Sequence, residues 1–332
     1  MSCVVVVASS SYAKDAKPGK GKTVAIGLDD SLGANYVTDQ IAIAAFKEMG
    51  YDVHTTTLSS SLAMPALAQN DLNVVVEAIF PQSQPSFDKV ADKLERGDQG
   101  MIIGGGINGY LIDKKTADKY HITSLEQFKD SKIAKLFGSA VDSSRAQLIS
   151  CDPGWMCGKV VDYQIKKFGL SKTIRIVQGK YEPLIVDAVA RVKRGEPAFF
   201  YTWSPSWVNN SLVPGKDVVW LPTPEDALPQ GMTVKGSALV DNVEGCAGGA
   251  NPCRMAMPSW NWDPMINKVF ASKNPAVWRF LTQMRFPLAK WSYWEAEINK
   301  THGNPDAIKK MADDWISQNK GIFGQWIEAS TK

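Results

Sequence analysis

Two tryptophans stand beside turn-forming residues, at places where loops are expected. Trp155 lies in the run 151–158 (CDPGWMCG), and a helix is predicted to begin directly after that run. Trp203 follows the apolar run 198–202 (AFFYT), which has the pattern of a buried strand, and Pro205 comes two residues later. The face of a desolvated tryptophan ring attracts a cation by up to about 2 kcal/mol per contact. Both tryptophans therefore have the chemistry to contact a positively charged head group.

The main chain beside Trp155 has the complementary chemistry. The amides of Met156 and Cys157 lie at the predicted N-terminus of the helix, where unpaired N–H groups bind anions. A third aromatic residue, Phe80, ends another predicted strand and precedes Pro81. Aromatic faces on one side and main-chain N–H groups on the other suit a small zwitterion with a quaternary ammonium head.

Four of the five cysteines form two close pairs, Cys151/Cys157 and Cys246/Cys253. Even, closely spaced pairs are typical of short disulfide loops in an oxidising compartment. Neither pair has the C-x₂₋₄-C spacing of a zinc site, and no histidine lies nearby. We therefore predict two disulfides that fix the local shape of the main chain.

The composition of the 332 residues excludes several classes of function. Lys and Arg number 37 and Asp and Glu 34, a net charge of +3, which does not favour a nucleic acid as partner. The three histidines are scattered, and no nucleophile, base and orienting residue fall together, so we expect no enzyme active site. Eleven tryptophans are a surplus to be explained by binding or by packing. The length predicts two domains, and 44% apolar residues suffice for packed cores.

Strands and helices alternate through two stretches, 23–103 and 110–221, and this order predicts parallel sheets in two α/β units. The run 104–109 (GGGING) has the letters of a dinucleotide-binding motif but is followed by a strand, so a flexible crossover between domains explains it better. A helical, tryptophan-rich tail covers 275–330. If the tail returns to the first unit, the units enclose a cleft at the carboxyl ends of their strands, where α/β sheets bind ligands.

Residues 1–17 have features of an export signal. The apolar run 4–8 is short and no basic residue precedes it, while residues 11–13 (SYA) resemble a cleavage site. We interpret 1–17 as the remnant of an export signal or a disordered terminus. The paired cysteines agree with a periplasmic location.

Several long segments, in the same order, resemble the periplasmic glycine betaine/proline betaine-binding proteins of osmoprotectant ABC importers. These segments are 109–118 (GYLIDKKTAD), 132–137 (KIAKLF), 151–157 (CDPGWMC), 199–208 (FFYTWSPSWV), 214–221 (PGKDVVWL) and 313–327 (DDWISQNKGIFGQWI). The resemblance implies an α/β protein with the type II periplasmic-binding-protein fold, which has two α/β lobes, a ligand cleft and two crossover segments. On this basis 18–105 and 222–332 form lobe 1, and 106–221 form lobe 2.

The resemblance also implies roles for the candidate residues. Trp155 and Trp203 fall on two of the three aromatic walls that enclose the trimethylammonium group in this family. The amides of Met156 and Cys157 fall on its carboxylate-binding positions, although Met156 replaces a glycine there. The first cysteine pair falls on the family's disulfide, whereas the second pair is an addition.

The third wall and the carboxylate partner depart from the family. Without a gap, Ile79 takes the place of the third tryptophan, and a shift of one residue would bring Phe80 there instead. The histidine that helps to hold the carboxylate is missing, with Ser83 or Gln84 in its place. An acidic calcium-type loop known in a relative is not reproduced in 138–150, so we expect neither a metal ion nor another cofactor.

The function that the resemblance implies is that of a periplasmic receptor, which binds glycine betaine or proline betaine and delivers it to the membrane permease of an ABC importer. We expect a monomer without a nucleic-acid partner. The altered site leaves other solutes open: a sulfonium zwitterion, choline, an amine oxide or a polyol derivative. A purely cationic solute could meet Glu77 and Asp29 or Asp30. A secreted enzyme on this fold and a cell-surface adhesion protein are the alternatives from other classes.

Overall fold

The computed structural model describes residues 17–29, 33, 35–153, 155–230, 232 and 236–332. Apart from Lys17, the predicted export signal lies outside these ranges, and so does Asp30. The strands are β1 (Thr23–Asp29), β2 (Asp52–Leu58), β3 (Val74–Phe80), β4 (Leu94–Arg96), β5 (Ile102–Ile103), β6 (Ile107–Asp113), β7 (Ala146–Ile149), β8 (Ile174–Val177), β9 (Phe199–Ser204), β10 (Val218–Leu221), β11 (Leu239–Val240), β12 (Cys253–Arg254), β13 (Asn261–Asn267) and β14 (Phe286–Pro287). The α-helices are α1 (Asn35–Glu48), α2 (Ser60–Gln69), α3 (Gln84–Phe87), α4 (Lys114–Tyr120), α5 (Ser131–Leu136), α6 (Met156–Lys167), α7 (Tyr181–Lys193), α8 (Trp207–Ser211), α9 (Lys268–Lys273), α10 (Pro275–Leu281), α11 (Leu288–Lys300), α12 (Pro305–Gln318) and α13 (Lys320–Thr331). Short 3₁₀ helices cover Leu125–Lys129 and Ala247–Gly249.

The first sheet has the strand order β2-β1-β3-β13-β4. Strand β1 is parallel to β2 and β3, whereas β13 is antiparallel to β3 and β4. Helices cover both faces, which is why β3 is almost continuously apolar. Val74 and Val76 pack in the core beneath α1 and the C-terminal helices, while Val75 packs in the core beneath α2.

Most tryptophans of the C-terminal helices pack the core beneath α1. Trp291 and Trp294 are 1% exposed, and the rings of Trp315 and Trp326 stack with centroids 5.4 Å apart. All four lie around Phe286, at centroid distances from 5.1 to 6.0 Å. Packing thus accounts for much of the tryptophan surplus. Among the helices that the structure describes, none has both the length and the apolar character needed to cross a bilayer.

The second sheet has the strand order β10-β6-β9-β7-β8. Strand β7 is parallel to β8 and β9, and β6 is antiparallel to β9 and β10. Successive side chains of β9 enter cores on opposite faces, Phe199 on one side and Phe200, near Trp220, on the other. The prediction of an α/β protein is therefore confirmed, but both large sheets are mixed rather than parallel, because β13 and β6 run antiparallel to their neighbours.

The chain passes between the two sheets beside the glycine run 104–106. The amide of Gly106 donates to the carbonyl oxygen of Trp260 (2.6 Å), and the amide of Trp260 donates back (2.9 Å). The hydroxyl of Ser259 adds a hydrogen bond to the carbonyl oxygen of Gly106 (2.9 Å). A β-carbon on Gly106 would lie 2.3 Å from the Trp260 indole, so the close approach of the two crossing segments requires glycine here.

The chain returns to the first sheet later than the predicted boundary at residue 222. Described apolar residues between Ala227 and Ala256, which were predicted to belong to lobe 1, pack in the cores of the second sheet. Met255 and the second predicted disulfide, Cys246–Cys253, with Cα atoms 6.0 Å apart, are buried in one of its cores. The second crossing therefore does not follow Leu221, because the intervening apolar side chains complete the cores of the second sheet.

Candidate functional site

Trp155, Tyr181 and Trp203 lie at the carboxyl ends of three strands of the second sheet. Strands β7, β8 and β9 run in the same direction. The first leads into the loop that carries Trp155, Tyr181 begins α7 shortly after the second, and Trp203 lies near the end of the third. Because the carboxyl ends of parallel strands share one edge of a sheet, residues far apart in the sequence meet here.

The rings of Trp155 and Trp203 form a corner, and the buried ring of Tyr181 packs behind both of them. The rings of Trp155 and Trp203 meet edge to face, with centroids 5.8 Å apart and planes at 71°. Tyr181, which is 2% exposed, lies 5.7 Å from the first ring and 5.0 Å from the second. Its hydroxyl donates to the carbonyl oxygen of Tyr201 (3.1 Å) and lies 2.9 Å from the hydroxyl of Thr202. Burial raises the pKa of Tyr181, so its hydroxyl stays protonated and keeps these hydrogen bonds. The Tyr181 ring therefore supports both half-buried indoles in a fixed position.

The loop that carries Trp155 also leads into the N-terminus of a helix. The predicted disulfide between Cys151 and Cys157 is present, with Cα atoms 6.0 Å apart, and the amide of Trp155 donates to the carbonyl oxygen of Asp152 (2.9 Å). Helix α6 begins at Met156. Within the described ranges, the amides of positions 156 and 157 have no main-chain acceptor. One short loop therefore combines an aromatic face with a helix N-terminus that can bind an anion.

A cation offsets the acidic side chain of this loop. The carboxylate of Asp152 lies 3.2 Å from Nζ of Lys180, the residue that precedes α7. An unpaired carboxylate beside the helix N-terminus would repel an anionic ligand. The lysine reduces that repulsion.

Ile79 and Phe80, the two candidates for the third aromatic wall, enter different cores. Ile79 packs at the margin of the core beneath α1, the same core that Trp203 contacts. Phe80 is 4% exposed in the core beneath α2, with the Phe87 ring 5.9 Å away and the Arg96 guanidinium carbon 4.2 Å above its ring. The structure thus brings Ile79, and not Phe80, to the core shared with Trp203.

Ser83 and Gln84 are the candidates for the carboxylate partner, and they differ in their hydrogen bonds to other residues. Oε1 of Gln84 accepts from Nη1 of Arg96 (2.6 Å), and its Nε2 donates to Oδ1 of Asp88 (2.6 Å). The amide of Ser83 donates to the carbonyl oxygen of Ile79 (2.9 Å). Because both ends of the Gln84 amide are already bonded, Gln84 is the less available of the two for a ligand.

Two carboxyl groups are buried beside the first sheet. Asp39 is 1% exposed and Glu77 is 7% exposed, and the hydroxyl of Thr38 donates to Oε1 of Glu77. Burial raises the pKa of Asp39 to about 8, and burial together with the Asp39 carboxyl raises the pKa of Glu77. Asp39 is therefore largely protonated at neutral pH. Glu77, the acid considered for a purely cationic solute, is an enclosed and hydrogen-bonded carboxyl.

Two aromatic residues of this region are not among the sequence candidates. Tyr181 supports the indole corner, and Trp262 pairs with Ile79 across β13 and β3. The half-buried Trp262 ring meets the Trp260 ring edge to face, with centroids 5.3 Å apart. The position of Tyr181 just after a predicted strand was a usable signal. The position of Trp262 could not be predicted from the sequence, because it depends on which strand pairs with β3.

The chain is similar to known proteins over nearly its whole length. A family model described as the substrate binding domain of ABC-type glycine betaine transport system matches residues 22–318. The chain is 32% identical over 331 residues to the glycine betaine-binding periplasmic protein OusX of Dickeya dadantii, covering 99% of this chain and 96% of that protein. It is 32% identical over 323 residues to the glycine betaine/proline betaine-binding periplasmic protein of Escherichia coli, covering 97% and 94%. In fold it is similar to a crystal structure of the glycine/betaine/L-proline-binding protein ProX from Borrelia burgdorferi, with a TM-score of 0.66 and 16% identity over 93% of this chain and 99% of that one.

Proposed function

Since this chain belongs to the family of substrate-binding domains of ABC-type glycine betaine transport systems, we propose that it binds glycine betaine or proline betaine at the edge where Trp155 and Trp203 meet. The observation that carries this proposal is the indole corner beside the amides of Met156 and Cys157. Two π faces attract a quaternary ammonium group, and the helix N-terminus attracts a carboxylate.

The short distance between the two halves of the site favours a betaine over a longer zwitterion. In glycine betaine one methylene group separates the ammonium nitrogen from the carboxylate, so the cation and anion sites must be contiguous. Trp155 is the residue that caps α6, and the amides of Met156 and Cys157 follow it directly. The trimethylammonium group lies in the corner and the carboxylate faces the helix. From the first sheet, Ile79 and Ser83 complete the site.

The described fold suits a receptor that closes on its ligand. The two sheets are joined by crossing segments at Gly106 and Trp260, and Trp203 packs against cores of both sheets. Rotation about such crossings would close the cleft, and closure gives a permease a ligand-dependent shape to recognise. We therefore assign to the chain the role of a monomeric receptor, without catalytic activity, that delivers its solute to the membrane permease of an ABC importer. The periplasmic relatives and the two disulfides support an extracytoplasmic location.

A ligand panel tests this function. Thermal unfolding of the purified protein is followed with glycine betaine, proline betaine, choline, a sulfonium zwitterion, trimethylamine N-oxide and a polyol, and positive responses are quantified by calorimetry. At a ligand concentration 100 times Kd, binding raises the free energy of unfolding by about 2.7 kcal/mol. We expect the betaines to stabilise most, because choline lacks the carboxylate that the helix amides attract. Stabilisation by choline but not by betaine would contradict the proposed ligand. Conversion of any of these solutes to product would indicate an enzyme.

A further inference from the structure

Trp262 lies at the edge of the first sheet where the parallel strands end. The indole corner lies at the equivalent edge of the second sheet. Strands β1 and β3 are parallel and end at the same edge. Strand β13 is antiparallel to β3 and therefore begins there, with Trp262 as its second residue. In α/β sheets the carboxyl ends of parallel strands border the ligand cleft. The topology thus places a tryptophan at the cleft border of the first sheet.

The strand register settles which face of the sheet Trp262 occupies. Trp262 is paired directly with Ile79, and directly opposed residues of an antiparallel pair lie on the same face. Both residues pack at the margin of the core beneath α1, and so does Trp203 from the second sheet. Phe80 pairs with Asn261 and enters the opposite core. Trp262 is therefore the large aromatic side chain on the Ile79 face of this strand pair.

A neighbouring tryptophan fixes the Trp262 ring. Trp260 is 4% exposed, and its Nε1 donates to the carbonyl oxygen of Ile107 at the crossing (3.2 Å). The planes of Trp260 and Trp262 are at 82°, so an edge-to-face contact holds the half-buried ring. A ring that is held in place loses little conformational entropy when a ligand binds.

We propose that Trp262 contacts the quaternary ammonium group of the ligand from the first sheet, where Ile79 offers only an aliphatic side chain. This inference rests on the proposed function, since it names a further residue of the same site. Helix α1 provides another aromatic residue at the margin of this core, Tyr36, whose hydroxyl donates to the carbonyl oxygen of Asp29. Trp262 has the larger π face, and tryptophan is the best aromatic partner for a cation.

Calorimetry on Trp262→Leu and Trp262→Phe tests the proposal, with glycine betaine and its uncharged-head analogue 3,3-dimethylbutyrate as probes. Leu keeps an apolar side chain but removes the π face, and we expect it to weaken betaine binding between about fivefold and thirtyfold. Phe retains a π face and should recover part of that loss. The analogue has the same shape without the positive charge, so its affinity should change less than that of betaine. Trp278→Leu is the matched control, because Trp278 is a partly buried tryptophan of the same core on α10.

The outcomes separate this inference from the proposed function. Wild-type protein that binds no betaine would refute the function itself. Betaine binding that is intact in the wild type and unchanged in folded Trp262→Leu would overturn only the role of Trp262. Equal weakening for betaine and the analogue would also overturn it, because a purely structural effect does not distinguish the charge. A loss confined to Tyr36→Leu would assign the contact to α1 instead.

Discussion

Replacing either indole of the corner should cost most of the affinity for the ammonium group. The planes of Trp155 and Trp203 meet at 71°, so a trimethylammonium group bound in the corner as proposed would touch the faces of both rings. One desolvated cation–π contact contributes up to about 2 kcal/mol, and 1.4 kcal/mol corresponds to about tenfold in Kd. We therefore expect Trp155→Leu and Trp203→Leu each to weaken glycine betaine binding between about tenfold and thirtyfold.

The double variant gives a second, independent value. In the proposed site both rings would hold the same ligand atom, so removing one would free the head group to leave the other. The losses in free energy should therefore not add, and a double-mutant cycle should show a coupling of about 0.5 kcal/mol or more. Titration calorimetry measures the four values of Kd, and circular dichroism checks that each variant keeps the fold.

The control variants make the result decisive. Trp278→Leu removes a partly buried tryptophan of α10 and should leave Kd within about twofold of the wild type, because its ring lies in the C-terminal helices. Leu at 155 or 203 should affect 3,3-dimethylbutyrate less than betaine. The reasoning fails if either single variant binds betaine as tightly as the wild type. It fails equally if the charged and uncharged ligands lose affinity in parallel.

Three further predictions concern stability and the crossing segments. Since burial raises the pKa of Asp39 to about 8, the folded protein binds more protons than the unfolded chain above the ordinary carboxyl pKa, and stability falls as pH rises. Thermal melts from about pH 5 to 8 should show that the free energy of unfolding falls less steeply with pH in Asp39→Asn, by up to about 1.4 kcal/mol per pH unit. An unchanged slope would assign the titration to Glu77 or to another group. Cys151→Ser opens the loop disulfide and should lower the free energy of unfolding, measured by chemical denaturation, by about 2 kcal/mol. The same variant should bind betaine more weakly in calorimetry, because the loop amides lose their fixed geometry. Gly106→Ala puts a β-carbon 2.3 Å from the Trp260 indole and should lower stability by about 1–3 kcal/mol, whereas a melt like that of the wild type would show that the crossing segments can separate.

Local features of this protein were predictable because short stretches of sequence determine them. The run 151–157 alone indicated a disulfide loop, a tryptophan and a helix N-terminus, and the structure contains all three. Trp203 became a candidate because it follows an apolar run with the pattern of a buried strand, and the structure contains that strand. Alternating strands and helices predicted the α/β class, and several ordered matches predicted the type II periplasmic-binding-protein fold and the family. Charge balance and scattered histidines already argued against nucleic-acid binding and histidine-based catalysis.

The first-sheet half of the site depended on tertiary structure, for a physical reason. In a strand, a shift of one residue moves a side chain to the other face, so the sequence could not choose between Ile79 and Phe80. The pairing of β3 with β13 places Ile79 at the core that Trp203 contacts and Phe80 in the opposite core, and it brings Trp262 beside Ile79. Likewise, the engagement of Gln84 by Arg96 required strand β4 to lie next to β13. The sequence by itself determined the fold class through the order of strands and helices, the family through its ordered matches, and the loop at Trp155 through contacts between near neighbours. Only the folded chain decided which residues of distant strands lie together, because that depends on strand pairing and register.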